Sequence, residues 1–524
     1  MTLRRAVLLV AALITTAPVA VASDLPVIPR PAYMELRQGV FRSGPTLYVD
    51  ASPAMVKAVT RAASVDSGPG VSSPSGGRAN VTLVLEPGLM RKLGAEGYEL
   101  SVRPSSVRAR AAKPVGLFYA IQTLRQLAWA GGGRGEWILP CCEIEDRPRF
   151  AWRGFMLDES RHFSGPDAVK RLLDAMALLK LNRLHWHLTD ATAWRIEIPG
   201  LPKLTEIGSL MRYSDRRPKP EFYTQQQARE LVAYALERGI LIVPEISMPG
   251  HATAANRAYP EYSAGGSRER PVDTFNPAKE ATFKYLDTIL REVAKTFPNA
   301  GMIHLGGDEV DTGWQTWTEL PEVKELMAEG GLEDLRAVEA HFKRRMASRV
   351  ASLGMKAGFW ISGAEQDIPA DRVTLFWWRH YALGELRAAL DRNCPVVLCP
   401  FVPCFFDFAQ DSSHFARWRR PGERLVNALR SVYAFPDSLI PALPGGGNIL
   451  GIQANLWTEV AVSQERRDFL TFPRLFALAE AAWTRPERKD YTSFEERLKV
   501  HLPHLRAAGI TPWDPFAENP EVPR

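Results

Sequence analysis

The sequence is poor in cysteine and lacks the residue spacings that usually hold metal ions. It has five cysteines in 524 residues, too few for a disulfide-stapled scaffold, and their positions predict no particular pairing. Neither Cys-x-x-Cys nor His-Glu-x-x-His occurs, and no motif points to a bound cofactor. We therefore expect mostly buried thiols, no metal site and no cofactor.

Long basic runs are missing throughout, and long apolar runs are missing after the first 22 positions. The formal net charge of +6 is not concentrated in a Lys/Arg run, and no nucleic-acid motif occurs. A mildly basic surface of this kind predicts no nucleic-acid partner. No later stretch is long and apolar enough to predict a membrane span.

The first 22 residues have the pattern of a secretory signal peptide. Arg4 and Arg5 precede an apolar run from Ala6 to Ile14, and Ala20-Val21-Ala22 supplies small residues at a cleavage site. This order of basic, apolar and small residues predicts a signal peptide over 1–22. We therefore expect a protein exported to the periplasm or secreted.

Residues 23–147 have short, mixed patterns. Apolar alternation predicts strands at Thr46–Val49, Val81–Leu85 and Tyr98–Val102, and helical spacing of leucines and isoleucine predicts a helix at Val115–Ala130. Three glycines follow that helix and end it. This region is predicted to be a small α+β accessory domain without a reactive cluster.

From residue 148 to 524 short apolar runs alternate with amphipathic helices, and eight runs read as buried strands. This alternation favours a (β/α)8 TIM barrel over an open doubly wound sheet, and no Gly-x-Gly-x-x-Gly opens a helix as in a Rossmann unit. The predicted strands are Arg153–Leu157, Arg183–Leu188, Ile240–Pro244, Met302–Leu305, Ala357–Trp360, Thr374–Trp377, Val396–Cys399 and Ile452–Leu456.

Polar and aromatic residues gather at the carboxyl ends of these strands, where parallel barrels carry their chemistry. Asp308 and Glu309 follow the fourth strand directly after two glycines. Carboxylates and an arginine among tryptophans suit a carbohydrate, because indole faces stack on sugar C–H surfaces. The strand ends supply Asp158, Arg161, His162, His185, His187, Asp190, Glu245, His251, Asp308, Glu309, Trp360, Trp377, Trp378, Asp407, Trp457 and Glu459.

Five segments that contain these residues resemble, in this order along the chain, the motifs of glycoside hydrolase family 20, the β-N-acetylhexosaminidases. The segments are Arg153–Phe163, Leu184–Asp190, Pro244–His251, His304–Glu309 and Gln453–Glu459. Together with the accessory domain, the resemblance covers nearly the whole chain after the signal peptide. It implies an enzyme that removes terminal N-acetylhexosamine from chitin oligosaccharides, glycoconjugates or cell-wall fragments.

The resemblance also implies a retaining, substrate-assisted mechanism, an exception to the usual two-carboxylate scheme. The nucleophile would be the carbonyl oxygen of the substrate's own 2-acetamido group, and the intermediate an oxazolinium ion. Glu309 would be the general acid, and Asp308 would hold the acetamido N–H. Asp190 and His251 would lie near Glu309 and help set its proton affinity.

The same resemblance implies which residues bind the sugar. Arg161 would bind the hydroxyls at C3 and C4, and Asp407 and Glu459 would grip others. The walls of the acetamido pocket would be Trp360, Trp378 and Trp457.

Three positions depart from the family pattern. Ala191 replaces a second aspartate, and Ser247 replaces an aspartate, so that His251 loses its usual charged partner. Phe405 stands where the family has a tyrosine whose hydroxyl contacts the acetamido oxygen. Two alternatives therefore stay open: a weakened barrel that only binds glycans, and a family member specific for a disaccharide or a modified amino sugar.

Overall fold

The alternating pattern after residue 147 folds into a closed barrel, and the mixed pattern before it folds into a separate sheet. The structure, a computed structural model, describes residues 25–64, 67–74, 79–133, 135–214, 219–417, 424–443 and 448–518. The predicted signal peptide lies outside the described residues. The observed architecture is thus an α+β region followed by a TIM barrel, as predicted.

The N-terminal region is a seven-stranded mixed sheet with the order β1-β7-β5-β6-β4-β2-β3. The helix Pro114–Gly131 packs against it through buried Leu117, Ile121, Leu124 and Leu127. The other helices of this region are Pro53–Ser64 and Met90–Leu93. The strands are β1 (Tyr33–Arg42), β2 (Thr46–Asp50), β3 (Gly70–Ser72), β4 (Val81–Leu85), β5 (Tyr98–Arg103), β6 (Ser106–Ala111) and β7 (Ile138–Asp146).

The barrel has eight parallel strands, and β9 closes it by pairing with both β8 and β10. The strands are almost wholly buried, which explains why they read as continuous apolar runs. They are β8 (Trp152–Asp158), β9 (Arg183–His187), β10 (Leu241–Glu245), β11 (Met302–His304), β12 (Lys356–Trp360), β13 (Val373–Trp377), β14 (Val396–Leu398) and β15 (Ile449–Leu456).

The register of four neighbouring strands places their polar carboxyl-terminal residues at the same height in the barrel. Asp158 is opposite His187, His187 is opposite Glu245, and Glu245 is opposite His304. All four side chains are buried. The strand pairing therefore sets a band of titratable groups across the barrel at one height.

Helices cover the barrel, but one crossover differs from the predicted strand–helix repeat. Residues 361–372, between β12 and β13, are all described and contain only the 3-10 turn Ala370–Arg372. The helices of the barrel region are Pro166–Leu178, Lys203–Glu206, Gln225–Leu236, Thr253–Ala258, Glu280–Thr296, Trp314–Glu319, Pro321–Gly330, Leu335–Ser352, Leu383–Asp391, Phe401–Cys404, Leu429–Ala434, Gln464–Thr471, Arg474–Trp483 and Tyr491–Ala507.

A buried ion pair joins the N-terminal sheet to the barrel. Lys180 Nζ lies 2.9 Å from Asp146 Oδ2, and both side chains are fully buried. The indole N–H of Trp483 donates to the other Asp146 oxygen at 2.8 Å. Because a buried charge is costly without partners, these contacts fix how the sheet meets the barrel.

The cysteines agree with the compositional expectation of buried thiols. All five cysteines are buried, and none forms a disulfide. Within the described ranges, no helix combines the length and apolar character that crossing a bilayer requires.

Candidate active site

A pocket of about 640 Å³ opens at the carboxyl ends of the barrel strands. It is lined by all ten predicted site residues together with two phenylalanines. The ten come from all eight strand ends, so only a closed barrel brings them together. The lining residues are Arg161, Asp190, His251, Asp308, Glu309, Trp360, Trp378, Phe401, Phe405, Asp407, Trp457 and Glu459.

The segment that presents Asp308 and Glu309 is held from below by a buried lysine. Lys343 Nζ donates to the carbonyl oxygen of Gly307 at 2.5 Å and pairs with Glu365 at 2.7 Å. Gly307 has a φ of +82°, and a Cβ there would lie 2.8 Å from Lys343 Cε. Glycine is therefore required at this position, for both its conformation and the close approach of the lysine.

Two pocket residues adopt left-handed backbone conformations that side chains usually avoid. Glu309 has a φ of +50° and His251 a φ of +53°, two of the five non-glycine positive φ values in the described chain. Each such residue costs about 1–3 kcal/mol of strain, which clusters at functional sites. Both side chains point into the pocket, where His251 Nε2 lies 3.6 Å from Glu309 Oε2.

Glu309 and Asp308 meet the same imidazole nitrogen. His251 Nε2 lies 3.6 Å from Glu309 Oε2 and 3.7 Å from Asp308 Oδ2. Although the Glu309 side chain is 53% exposed, partial burial raises its pKa, the neighbouring Asp308 charge raises it further, and His251 opposes both effects. Glu309 is thus suited to keep a proton above the usual range of a glutamate.

Asp190 is the buried anion at the centre of the site. Its carboxylate lies 2.8 Å from Arg161 Nη2, 3.0 Å from His187 Nε2 and 3.3 Å from His251 Nδ1. Burial alone raises its pKa, but Arg161 and then His251 hold that pKa well below its usual range. Ala191 adds its backbone N–H as a further donor to Asp190.

His251 has charged partners despite the serine at position 247. The Ser247 hydroxyl donates to the carbonyl oxygen of Thr189 at 2.9 Å, so its side chain is engaged elsewhere. Although burial lowers the pKa of His251, Asp190 and Asp308 raise it well above its usual value. The imidazole is therefore an imidazolium that faces the acid pair.

Sequence reasoning missed Asp273, which fixes the backbone of His251. One oxygen of Asp273 accepts the His251 N–H at 2.9 Å, and the other accepts the Thr253 hydroxyl at 2.6 Å. Asp273 follows no barrel strand, so a search restricted to strand ends could not find it. The second missed residue is Phe401, which lines the pocket beside the predicted site.

Arg161 is a partly exposed cation fixed on three sides. Its guanidinium lies 3.3 Å from Asp158, 2.8 Å from Asp190 and 3.7 Å from Glu459. It also stacks over the ring of Trp457, with Cζ 5.1 Å from the ring centroid. A planar donor held in this way can grip vicinal sugar hydroxyls.

Aromatic rings form a further part of the pocket wall. The ring centroids of Trp360 and Trp457 are 5.9 Å apart, and Phe405 lies 6.0 Å from Trp457. The indole N–H of Trp378 donates to the carbonyl oxygen of Ile361 at 3.2 Å, which fixes that ring. The wall offers apolar faces for a sugar substituent, and Phe405 adds no hydroxyl to it.

Below the pocket, three buried side chains come close enough to be considered as metal ligands. His185, Glu245 and His304 each place one donor atom within 4.8 Å of the others. However, His185 Nε2 and Glu245 Oε2 are 2.9 Å apart, a hydrogen-bond length. Two ligands of one tetrahedral zinc ion lie about 3.3 Å apart, so this pair is closer than a zinc site would place it.

Comparison with known proteins decides the family. Residues 150–486 match the catalytic domain of glycosyl hydrolase family 20, and residues 24–147 match domain 2 of the same family. The chain belongs to glycosyl hydrolase family 20.

The relatives are β-hexosaminidases. The chain is 36% identical to one from Vibrio furnissii, over 77% of this chain and 67% of the relative. It is 30% identical to the β-N-acetylhexosaminidase of Cellulomonas fimi, over 93% and 95%. The structure of a Vibrio harveyi exo-β-N-acetylglucosaminidase with N-acetylglucosamine matches with a TM-score of 0.84 at 30% identity, covering 94% of this chain and 79% of that one. These matches support β-N-acetylhexosaminidase activity.

The position of Phe405 in the aromatic wall yields a first prediction. Phe405→Tyr would restore a hydroxyl where the family resemblance places one. Because one donor to a reacting oxygen is worth about 10²–10³ in rate, we expect kcat on an aryl β-GlcNAc substrate to rise about tenfold or more. Phe401→Tyr, in the same pocket, is the matched control and should give no gain. An equal response from both variants would contradict the assignment.

Proposed function

We propose that this protein is an exo-acting β-N-acetylhexosaminidase that removes terminal β-linked GlcNAc or GalNAc with retention of configuration. The observation that carries the proposal is that Asp308 and Glu309 approach one imidazole nitrogen from the same strand end. One of these carboxylates can serve the leaving oxygen while its neighbour holds the substrate's acetamido N–H. We therefore infer that the acetamido group is the nucleophile.

In the proposed first step the substrate supplies its own nucleophile. The acetamido carbonyl oxygen attacks C1, the bond from C1 to the leaving oxygen breaks, and Glu309 gives its proton to that oxygen. Asp308 accepts the acetamido N–H and balances the positive charge of the oxazolinium ion. Water then attacks C1, Glu309 takes a proton from it, and the acetamido group is restored.

The surrounding groups support this division of roles. The raised pKa of Glu309 suits a group that must begin as an acid and become a base. Arg161, Asp407 and Glu459 would hold the sugar hydroxyls, and the tryptophans would wall the acetamido group. The exo preference is supported by the name of the Vibrio harveyi neighbour, which was solved with the monosaccharide.

Glu309→Gln tests the proposed acid directly. We expect kcat to fall by about 10²–10⁴, the usual contribution of general acid catalysis. The loss should be larger for chitobiose, whose leaving group needs protonation, than for 4-nitrophenyl β-GlcNAc, whose leaving group departs as an anion. Rates on both substrates measure this difference. Glu319→Gln, an exposed carboxylate outside the pocket, is the control and should keep the wild-type rates.

A second candidate function is glycan binding without turnover, which Phe405 favours because it removes a hydroxyl from the acetamido pocket. GlcNAc binding by wild-type protein with no hydrolysis of any amino-sugar glycoside would support that candidate. If Glu309→Gln lowers kcat by the same factor on chitobiose and on 4-nitrophenyl β-GlcNAc, the acid role of Glu309 is contradicted.

A panel of disaccharide and sulfated amino-sugar glycosides would define the substrate.

We also propose that the protein is exported, on the evidence of the basic, apolar and small residues at positions 4–22. The protein recovered from the periplasm or medium of the producing cell should begin at Ser23, as read by N-terminal sequencing. Full-length protein that starts at Met1 and stays in the cytosol would contradict this.

A further inference from the structure

Glu245, at the end of β10, is a fully buried carboxylate beneath the pocket. Its Oε2 lies 2.7 Å from His187 Nδ1 and 2.9 Å from His185 Nε2, and its Oε1 lies 3.3 Å from His304 Nδ1. The indole N–H of Trp360 donates to Oε1 at 2.8 Å. One carboxylate therefore contacts both a pocket wall and three imidazoles.

Through one of these imidazoles, Glu245 is connected to the acid pair. His187 Nε2 lies 3.0 Å from Asp190 Oδ2, and Asp190 Oδ1 lies 3.3 Å from His251 Nδ1. His251 Nε2 then lies 3.6 Å from Glu309 Oε2. Carboxylates and imidazoles alternate along this path, which runs from the barrel interior to the pocket.

We propose that Glu245 and His187 are positioning residues for the hydrolytic reaction: they fix Asp190, which in turn orients His251 toward Glu309 and anchors Arg161. The proposal rests on the acid role proposed for Glu309. The two residues touch no substrate, and they act by holding the charge and orientation of the groups that do. Glu245 also fixes Trp360, so it supports the acetamido wall and the acid at once.

The electrostatics of His187 give this arrangement a testable consequence. Burial lowers the pKa of His187, but the Glu245 charge and the hydrogen bond with Asp190 more than offset burial and raise that pKa to about 10. Asp158 on β8 also raises it. His185 and His304, on β9 and β11, and the buried Cys399 thiol are further titratable groups near Glu245. His187 is thus an imidazolium with one ring nitrogen beside each of two carboxylates.

Burial lowers the pKa of His187, and without the Glu245 charge less remains to offset that effect. The His187 pKa then falls, and the imidazole loses its proton as the pH rises through the assay range. A neutral imidazole keeps one N–H for Asp190 but no longer carries the positive charge that offsets this buried carboxylate, so Asp190 is held less firmly at high pH. The defect of a Glu245 variant should therefore grow with pH.

The decisive experiment is the kcat–pH profile of Glu245→Gln on 4-nitrophenyl β-GlcNAc, measured with the full chain between about pH 5 and 8. We expect kcat at neutral pH to fall about 10–100-fold, as for other supports of catalytic groups. The ratio of variant to wild-type kcat should decrease as pH rises. Glu245→Asp keeps the charge and should recover part of the rate and the wild-type profile shape.

Glu480→Gln is the matched control, because Glu480 is also a fully buried carboxylate but pairs with Arg497 away from the pocket. The Glu480→Gln variant should be less stable than the wild type but should keep the shape of its kcat–pH profile. His187→Gln should lower kcat about 10–100-fold. In the double variant the pH-dependent ratio should disappear, since no His187 is left to titrate.

Three results would overturn the inference: wild-type kcat in folded Glu245→Gln, a loss that is uniform across pH and not recovered by Glu245→Asp, or wild-type kcat in His187→Gln. The last decides the matter if Glu245→Gln does not fold. An inactive wild-type protein, or an active Glu309→Gln, would instead refute the proposed function.

Discussion

The site depends on one buried anion, the Asp190 carboxylate, and on the cations that make its burial possible. An ionised carboxylate out of water costs several kcal/mol unless it is paired and hydrogen-bonded. Arg161, His187 and His251 supply that pairing, and they come from three different strand ends. Satisfying Asp190 therefore requires the barrel to close in this register.

The same pairing determines what each partner presents to the pocket. Arg161 is held with one face over Trp457, and His251 is held with Nε2 toward Asp308 and Glu309. The residues that contact a substrate are in this way oriented by groups that do not. Strain at Glu309 and His251 is tolerated because this network and Lys343 beneath Gly307 fix the surrounding backbone.

Much of the fold and the pocket could be predicted from the sequence, because parallel strands give continuous apolar runs and place their carboxyl ends on one face. Asp308 and Glu309 illustrate this, since two glycines after Leu305 mark where the strand must end. The predicted barrel-strand ends differ from the observed ones by at most three residues, and the carboxyl ends by at most one, which leaves the strand-end residues in place. The family resemblance then assigned the roles, which geometry alone does not give.

What could not be predicted depends on loops and on distant pairing. Asp273 reaches His251 through a loop conformation that no periodicity encodes. Asp190 as the charged partner of His251 depends on the approach of two strand ends far apart in the sequence. In the N-terminal sheet, β1 and β7 pair across about a hundred residues; β1 is mostly exposed and β7 mostly buried, so neither shows a clear alternation from which to predict a strand.

The central claim is that C1 is first attacked from the face opposite Glu309 and that water then opens the intermediate, so that the configuration at C1 is retained. The most direct measurement is the anomer of the N-acetylhexosamine released first, followed by proton NMR during rapid hydrolysis of an aryl β-GlcNAc glycoside. Retention at C1 predicts that the β anomer is released first and that the α anomer appears only by later mutarotation. Initial release of the α anomer would contradict it.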